Sequence, residues 1–153
     1  MACAGQCIAY RKADEMRNKR KVGARFEEKA CAYLAGKGFC VLERNFQCRQ
    51  GEVDIIGEEE GYLVFVEVKY RACAKSGSPA EAVTAAKQKR ICRTADYYRY
   101  LHGIGDDRAI RYDVVAIEGA ENTGPDGAQD LEILWYKNAF YHRYAGRNGR
   151  GVQ

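Results

Sequence analysis

The stretch Gly51-Glu52-Val53-Asp54-Ile55-Ile56, followed after an acidic turn by Tyr62-Leu63-Val64-Phe65-Val66-Glu67-Val68-Lys69-Tyr70, decides the reading of this chain. The second segment is its strongest strand candidate, rich in Val, Phe and Tyr. Alternation puts Tyr62, Val64, Val66, Val68 and Tyr70 on one face and Leu63, Phe65, Glu67 and Lys69 on the other. Both faces are apolar as far as Val66, which marks a central strand, so Glu67 and Lys69 project where charge is expensive. In the first segment Glu52 and Asp54 share a face, Val53 and Ile55 share the opposite one, and Ile56 follows on the acidic face. That face is therefore not simply solvent. Two neighbouring strands offer Asp54, Glu67 and Lys69, with Glu52 nearby.

Outward from this pair, Val22 to Lys37 carries helical spacing, with Phe26, Ala30, Tyr33 and Leu34 on one side, and stops at Gly36-Lys37-Gly38. Phe39 to Asn45 reads as a short strand, Gly51 to Gly57 as the next, and Glu58 to Gly61 as a hairpin turn. A loop from Ala72 to Ser78 follows. Ser78 is placed to cap, and Pro79 to open, a long helix that runs to about Leu101 and ends at Gly103. Ala109 to Glu118 and Leu131 to Tyr136 are the last two strands. The expected architecture is α/β, a mixed β-sheet flanked by helices in the order α-β-β-β-α-β-β. A basic N-terminal arm over 1–21 and a Gly- and Arg-rich tail over 146–153 flank one domain over 22–145.

Composition bounds the function classes. The chain has 153 residues, 46% hydrophobic and 30% charged, which is globular and not disordered. A net charge of +4 permits a polyanionic partner without demanding one. Seven cysteines form no C-x-x-C pair, and only His102 and His142 could join them, which argues against a zinc ribbon and for free thiols in a reducing compartment. No apolar leader opens the chain and no run approaches the ~18 apolar residues of a membrane span, so a cytoplasmic protein with no membrane partner is expected.

Two readings of the charged cluster compete. In the plain one, Lys69 neutralises Glu67 at a sheet end, and the chain is a structural or partner-binding protein. In the other, the carboxylates outnumber the lysine and gather because a cation sits between them. Carboxylate oxygens suit Mg²⁺, which takes one or two of them and keeps its waters. Such a centre polarises a phosphoryl oxygen, and a neighbouring lysine orients water or stabilises developing charge.

The run Gly51-Glu52-Val53-Asp54-Ile55-Ile56 with Phe65-Val66-Glu67-Val68-Lys69 resembles the signature of the PD-(D/E)XK nucleases. More narrowly, the chain resembles the YraN-like family of uncharacterised bacterial proteins, grouped with restriction-endonuclease-like folds and archaeal-type Holliday junction resolvases. The likeness runs from about Val22 to Tyr141. It takes in Glu27-x-x-Ala30 with Tyr33-Leu34, Asn45, Ser78 to Val83, Lys87-Gln88-Lys89-Arg90, Arg111 to Val115 and Asn138-Ala139-Phe140. The resemblance implies a restriction-endonuclease-like domain that hydrolyses nucleic-acid phosphodiesters, DNA and branched DNA foremost, with Mg²⁺ or Mn²⁺. It implies Asp54 and Glu67 as metal ligands, the Val68 carbonyl as a further ligand and Lys69 as the catalytic lysine. Glu27 matches a helix acid that approaches the same site, and its helical neighbours Ala30, Cys31 and Leu34 place it on the apolar side, with Glu28 further round. Glu52 is taken as support for the site. Phe26 stands where members of the family usually have Gly. The runner-up is a non-catalytic nucleic-acid-binding module of the same fold.

The long helix carries Lys87, Lys89, Arg90 and Arg93, which are expected to track phosphates, although a solvated face is the plain reading of each. Lys87 has a second expectation, that it faces the site. Arg111 and Asp113 read as a structural ion pair on one strand face, and Gly103-Ile104-Gly105 is no dinucleotide loop. Dimerisation stays open; a resolvase-like cut of two strands would favour a symmetric homodimer.

Overall fold

The computed structural model describes residues 21–71, 83–119 and 131–143. The expected arm and tail, and the loop with Ser78 and Pro79, lie outside the described residues. A helix, α1, covers 21–36. Strands β1 (Cys40–Cys48), β2 (Gly51–Glu59) and β3 (Tyr62–Arg71) follow, then helix α2 (Ala85–Leu101), β4 (Ile110–Glu118) and β5 (Glu132–Tyr136). The expected α/β order therefore holds. The sheet runs β1-β2-β3-β4-β5, with β3 and β4 parallel and the other neighbours antiparallel, so it is mixed.

Each helix covers one sheet face. Ile91, Cys92, Ala95 and Tyr98 of α2 pack with Leu63, Phe65, Tyr112 and Val114. Phe26, Ala30 and Leu34 of α1 pack with Val64, Val66, Val115 and Ile117. The alternation expected for β3 is thus the observed one, and Glu67 and Lys69 share parity with the α2 side.

Three boundaries differ from expectation, each for a physical reason. The long helix does not run continuously from Pro79: Val83 and Thr84 are non-helical and α2 begins at Ala85. The Thr84 hydroxyl accepts the Lys87 N–H, and the Val83 carbonyl is taken by the Gln88 side chain at 2.9 Å, so both ends of the cap are satisfied one turn later. The β2–β3 hairpin turn is narrower than Glu58–Gly61. Only Glu60 and Gly61 form it, both at positive φ, as a two-residue hairpin requires. β1 extends through Asn45 to Cys48 rather than ending there.

Gly57 is a point of close approach between the sheet and the α1-side core. A Cβ there would lie 2.2 Å from the Phe39 ring and 2.3 Å from the Cys40 carbonyl. Only glycine lets Phe39 fold over β2 and close that half of the core.

Candidate metal and nucleic-acid site

The site forms where β2 and β3 part. Their ladder ends at Ile55↔Val66, so Asp54 and Glu67, the next residues, are not paired. Asp54 is unpaired on its other side as well. Arg44 pairs with Ile55 and Phe46 with Val53, and the Asn45/Asp54 pair between them is missing. Asn45 has φ 53, a left-handed conformation inside a strand. The expected alternation breaks here: Val53 packs in the α2-side core and Ile55 in the α1-side core, although they are two residues apart.

The Asp54 carboxylate fills the fork and accepts the Val68 N–H at 2.7 Å. Its burial, and next the negative charge of Glu67, push its pKa up to about 7, against the pull of that hydrogen bond. Glu67 is 4% exposed; its Oε1 lies 2.9 Å from Lys69 Nζ and its Oε2 3.5 Å from Lys87 Nζ. Oε2 is nonetheless buried without a hydrogen bond. Lys87 also lies 3.7 Å from Glu52. Glu27 adds to the rise of Asp54, so its charge is felt at the fork. A cleft of about 680 Å³ opens beside these groups, lined by Glu27, Asn45, Gln47, Glu52 and Asp54.

Glu27 reaches the cleft because α1 is anchored one residue earlier. The Phe26 ring stacks on Tyr70 with centroids 3.8 Å apart and planes 11° from parallel. Glu28 is exposed.

The structure therefore brings Asp54, Glu67, Lys69, Lys87, Glu52 and Glu27 to one end of the sheet. Lys89, Arg90 and Arg93 stand apart, on the exposed side of α2. Among the described residues none of these three forms an ion pair. They sit at i, i+1 and i+4, like charges on one helix side. Sequence reasoning did not foresee that the β1–β2 turn lands on α2, where a Cβ on Gly51 would lie 3.5 Å from Arg90 Cβ and 3.2 Å from Thr94 Oγ1.

The pattern of the Uncharacterised protein family UPF0102 matches residues 26–117. The chain belongs to the UPF0102 family. A UPF0102 protein of Caldicellulosiruptor saccharolyticus is 49% identical over 124 residues, covering 80% of this chain and 99% of its own. One from Lachnoclostridium phytofermentans is 46% identical over 100 residues, or 65% of this chain and 85% of its own. One from Symbiobacterium thermophilum is 41% identical over 122 residues, or 80% and 98%. The UPF0102 match spans α1 to β4 and so contains every carboxylate and lysine of the fork.

Among the described residues no three His, Cys, Asp or Glu gather as a metal-holding group. The fork offers two carboxylates instead, and their chemistry fits a hard, hydrated cation such as Mg²⁺ better than zinc. A buried Glu67 oxygen without a hydrogen bond, and a carboxyl whose pKa is raised first by burial and next by a second carboxylate, are the features a cation would relieve. Among the described residues no helix is long and apolar enough to cross a membrane.

Proposed function

We propose that this UPF0102 protein is a Mg²⁺-dependent endonuclease acting on DNA, including branched DNA, with Mn²⁺ as a substitute ion. The observation that carries the reading is the proximity of the Asp54 and Glu67 carboxylates at the fork, short of hydrogen bonds at Glu67 Oε2 and flanked by Lys69 and Lys87. Asp54 and Glu67 would hold the cation, with the Val68 carbonyl as a further ligand. When bound, Mg²⁺ would supply Lewis-acid polarisation of a phosphoryl oxygen. Lys69, one-third exposed at 33%, stands beside Glu67, where it would orient the attacking water or offset developing charge. Lys87 holds Glu67 and Glu52 in place. Glu27 and Glu52 complete an acidic rim. Lys89, Arg90 and Arg93 contact the phosphate backbone. Cutting both strands of a branched substrate would use two chains as a symmetric homodimer. Cytoplasmic residence belongs to the same reading, supported by the free thiols Cys31, Cys40, Cys48 and Cys92.

Duplex, flap and four-way-junction DNA, with RNA as comparison, incubated with Mg²⁺ or with EDTA, test the reading. Cleavage that needs the metal and disappears in Asp54→Ala and Lys69→Ala is expected. Mg²⁺ should also raise the melting temperature of the unaltered chain and not of Asp54→Ala. The ion pair between Lys69 and Glu67 favours a second reading, a binding module without turnover. Tight, salt-sensitive binding with no cleavage of any substrate and no thermal response to Mg²⁺ would establish that one instead.

A further inference from the structure

We propose that Asn45 is a positioning residue for Asp54: its left-handed backbone unhooks Asp54 from β1 and frees the carboxylate to cross the fork to β3. Asn45 lies inside β1, where an extended φ is the rule, yet its φ is 53. Residues on either side remain in register, Arg44 with Ile55 and Phe46 with Val53. Apart from a separate register shift between Val41 and Glu43, the disturbance of the β1–β2 ladder lies at the one pair that contains Asp54.

Three consequences meet at that point. Asp54 loses its partner on β1 while the β2–β3 ladder has already stopped at Ile55. β2 turns over between Val53 and Ile55, which pack on opposite faces of the sheet. The released Asp54 carboxylate takes the Val68 N–H at 2.7 Å, a group fourteen residues away that an ordinary ladder would not offer to a side chain. Asn and Gly hold positive φ readily, Ala holds it at a cost, and β-branched residues essentially do not. Asn45 also lines the cleft beside Asp54, so the bend sits at the site and not at a remote strand end. Backbone strain kept in the middle of a strand persists where it serves a local arrangement.

The effect on hydrolysis rests on the nuclease reading above; the backbone device does not. The test follows the Val68 amide in the full-length, ¹⁵N-labelled chain, with Asp54→Ala as the reference for a broken hydrogen bond. Asn45→Gly keeps the positive φ and should leave the Val68 proton shift and exchange protection unchanged. Asn45→Val demands an extended φ. It should move Val68 to the Asp54→Ala position and speed its exchange at least about tenfold. Where cleavage is observed, Gly should keep it within about threefold and Val should lower it at least about tenfold. A native Val68 signal in Asn45→Val, or a displaced one in Asn45→Gly, overturns the proposal. Should Asn45→Val not fold, Asn45→Ala takes its place and must show a displaced or divided Val68 signal; a single native one overturns the proposal. If Val68 behaves as expected but the unaltered chain cuts nothing, the nuclease reading falls and the positioning role stands.

Discussion

Asp113 and Glu67 are both buried carboxylates of one sheet, and their surroundings differ in a way that separates architecture from chemistry. Asp113, 0% exposed, accepts four hydrogen bonds at 2.9 Å, two from Arg111 and one each from the Trp135 indole and the Asn138 N–H. Arg111 continues to Glu59, which Lys137 also binds. Burial works to raise the Glu59 pKa, but the hydrogen bonds from Lys137 and Arg111 outweigh it and hold the carboxyl below its usual range. At the fork the balance goes the other way. Glu67 Oε2 has no hydrogen bond and Asp54 is pushed up to about 7. A cluster whose partners are all present holds the β2–β3 turn, β4 and β5 together. A cluster short of positive charge is what the proposed cation would complete.

Substitution at Asp113 should show the largest effect. Asp113→Ala leaves Arg111 buried with less compensation and orphans the Trp135 and Asn138 donors, so a loss of about 3–5 kcal/mol in urea unfolding is expected. A loss below about 1 kcal/mol would break the comparison from that side.

Asp54→Asn should act with the opposite sign. The folded chain keeps the Asp54 proton up to about pH 7, whereas its ordinary value is 3.8. Ionising it therefore costs stability that is absent below about pH 4, grows as pH rises, and is complete above about pH 7. The amide keeps an acceptor for Val68 and carries no charge. In EDTA at pH 8 it should stabilise the chain by on the order of 2 kcal/mol, and at pH 4 the two chains should melt together. Destabilisation at pH 8 would put Asp54 in the same class as Asp113.

Lys87→Ala should have the smallest effect. Lys87 is 25% exposed and its carboxylate contacts are long at 3.5 and 3.7 Å, so no more than about 1 kcal/mol is expected, declining with added salt. A larger loss would mean that Lys87, and not an external cation, is the intended counter-charge of Glu67.

The comparison also shows what could be read without coordinates. Two-residue alternation was enough to place Glu67 and Lys69 on the face of Leu63 and Phe65 and to foresee the Arg111–Asp113 pair, because β3 and β4 are regular. The same rule misplaced Val53 against Ile55, since one left-handed residue on the neighbouring strand resets the face of β2. The start of α2 was missed because Pro79 and Ser78 are strong local signals, while the deciding bonds come from Thr84 and Gln88. The landing of the β1–β2 turn at Gly51 on α2 depends on the tertiary fold, which local propensity does not encode.

The Phe26–Tyr70 stack has a consequence for how sequences of this family can vary. Phe26 precedes Glu27, and Tyr70 follows Lys69, so two rings in face contact tie the acid of α1 to the lysine of β3 across the sheet. A ring cannot shrink on one side without leaving a void under the other. Positions 26 and 70 should therefore change together: relatives with glycine at the first should carry a non-aromatic residue at the second, and an alignment of the two columns should show them as a coupled pair.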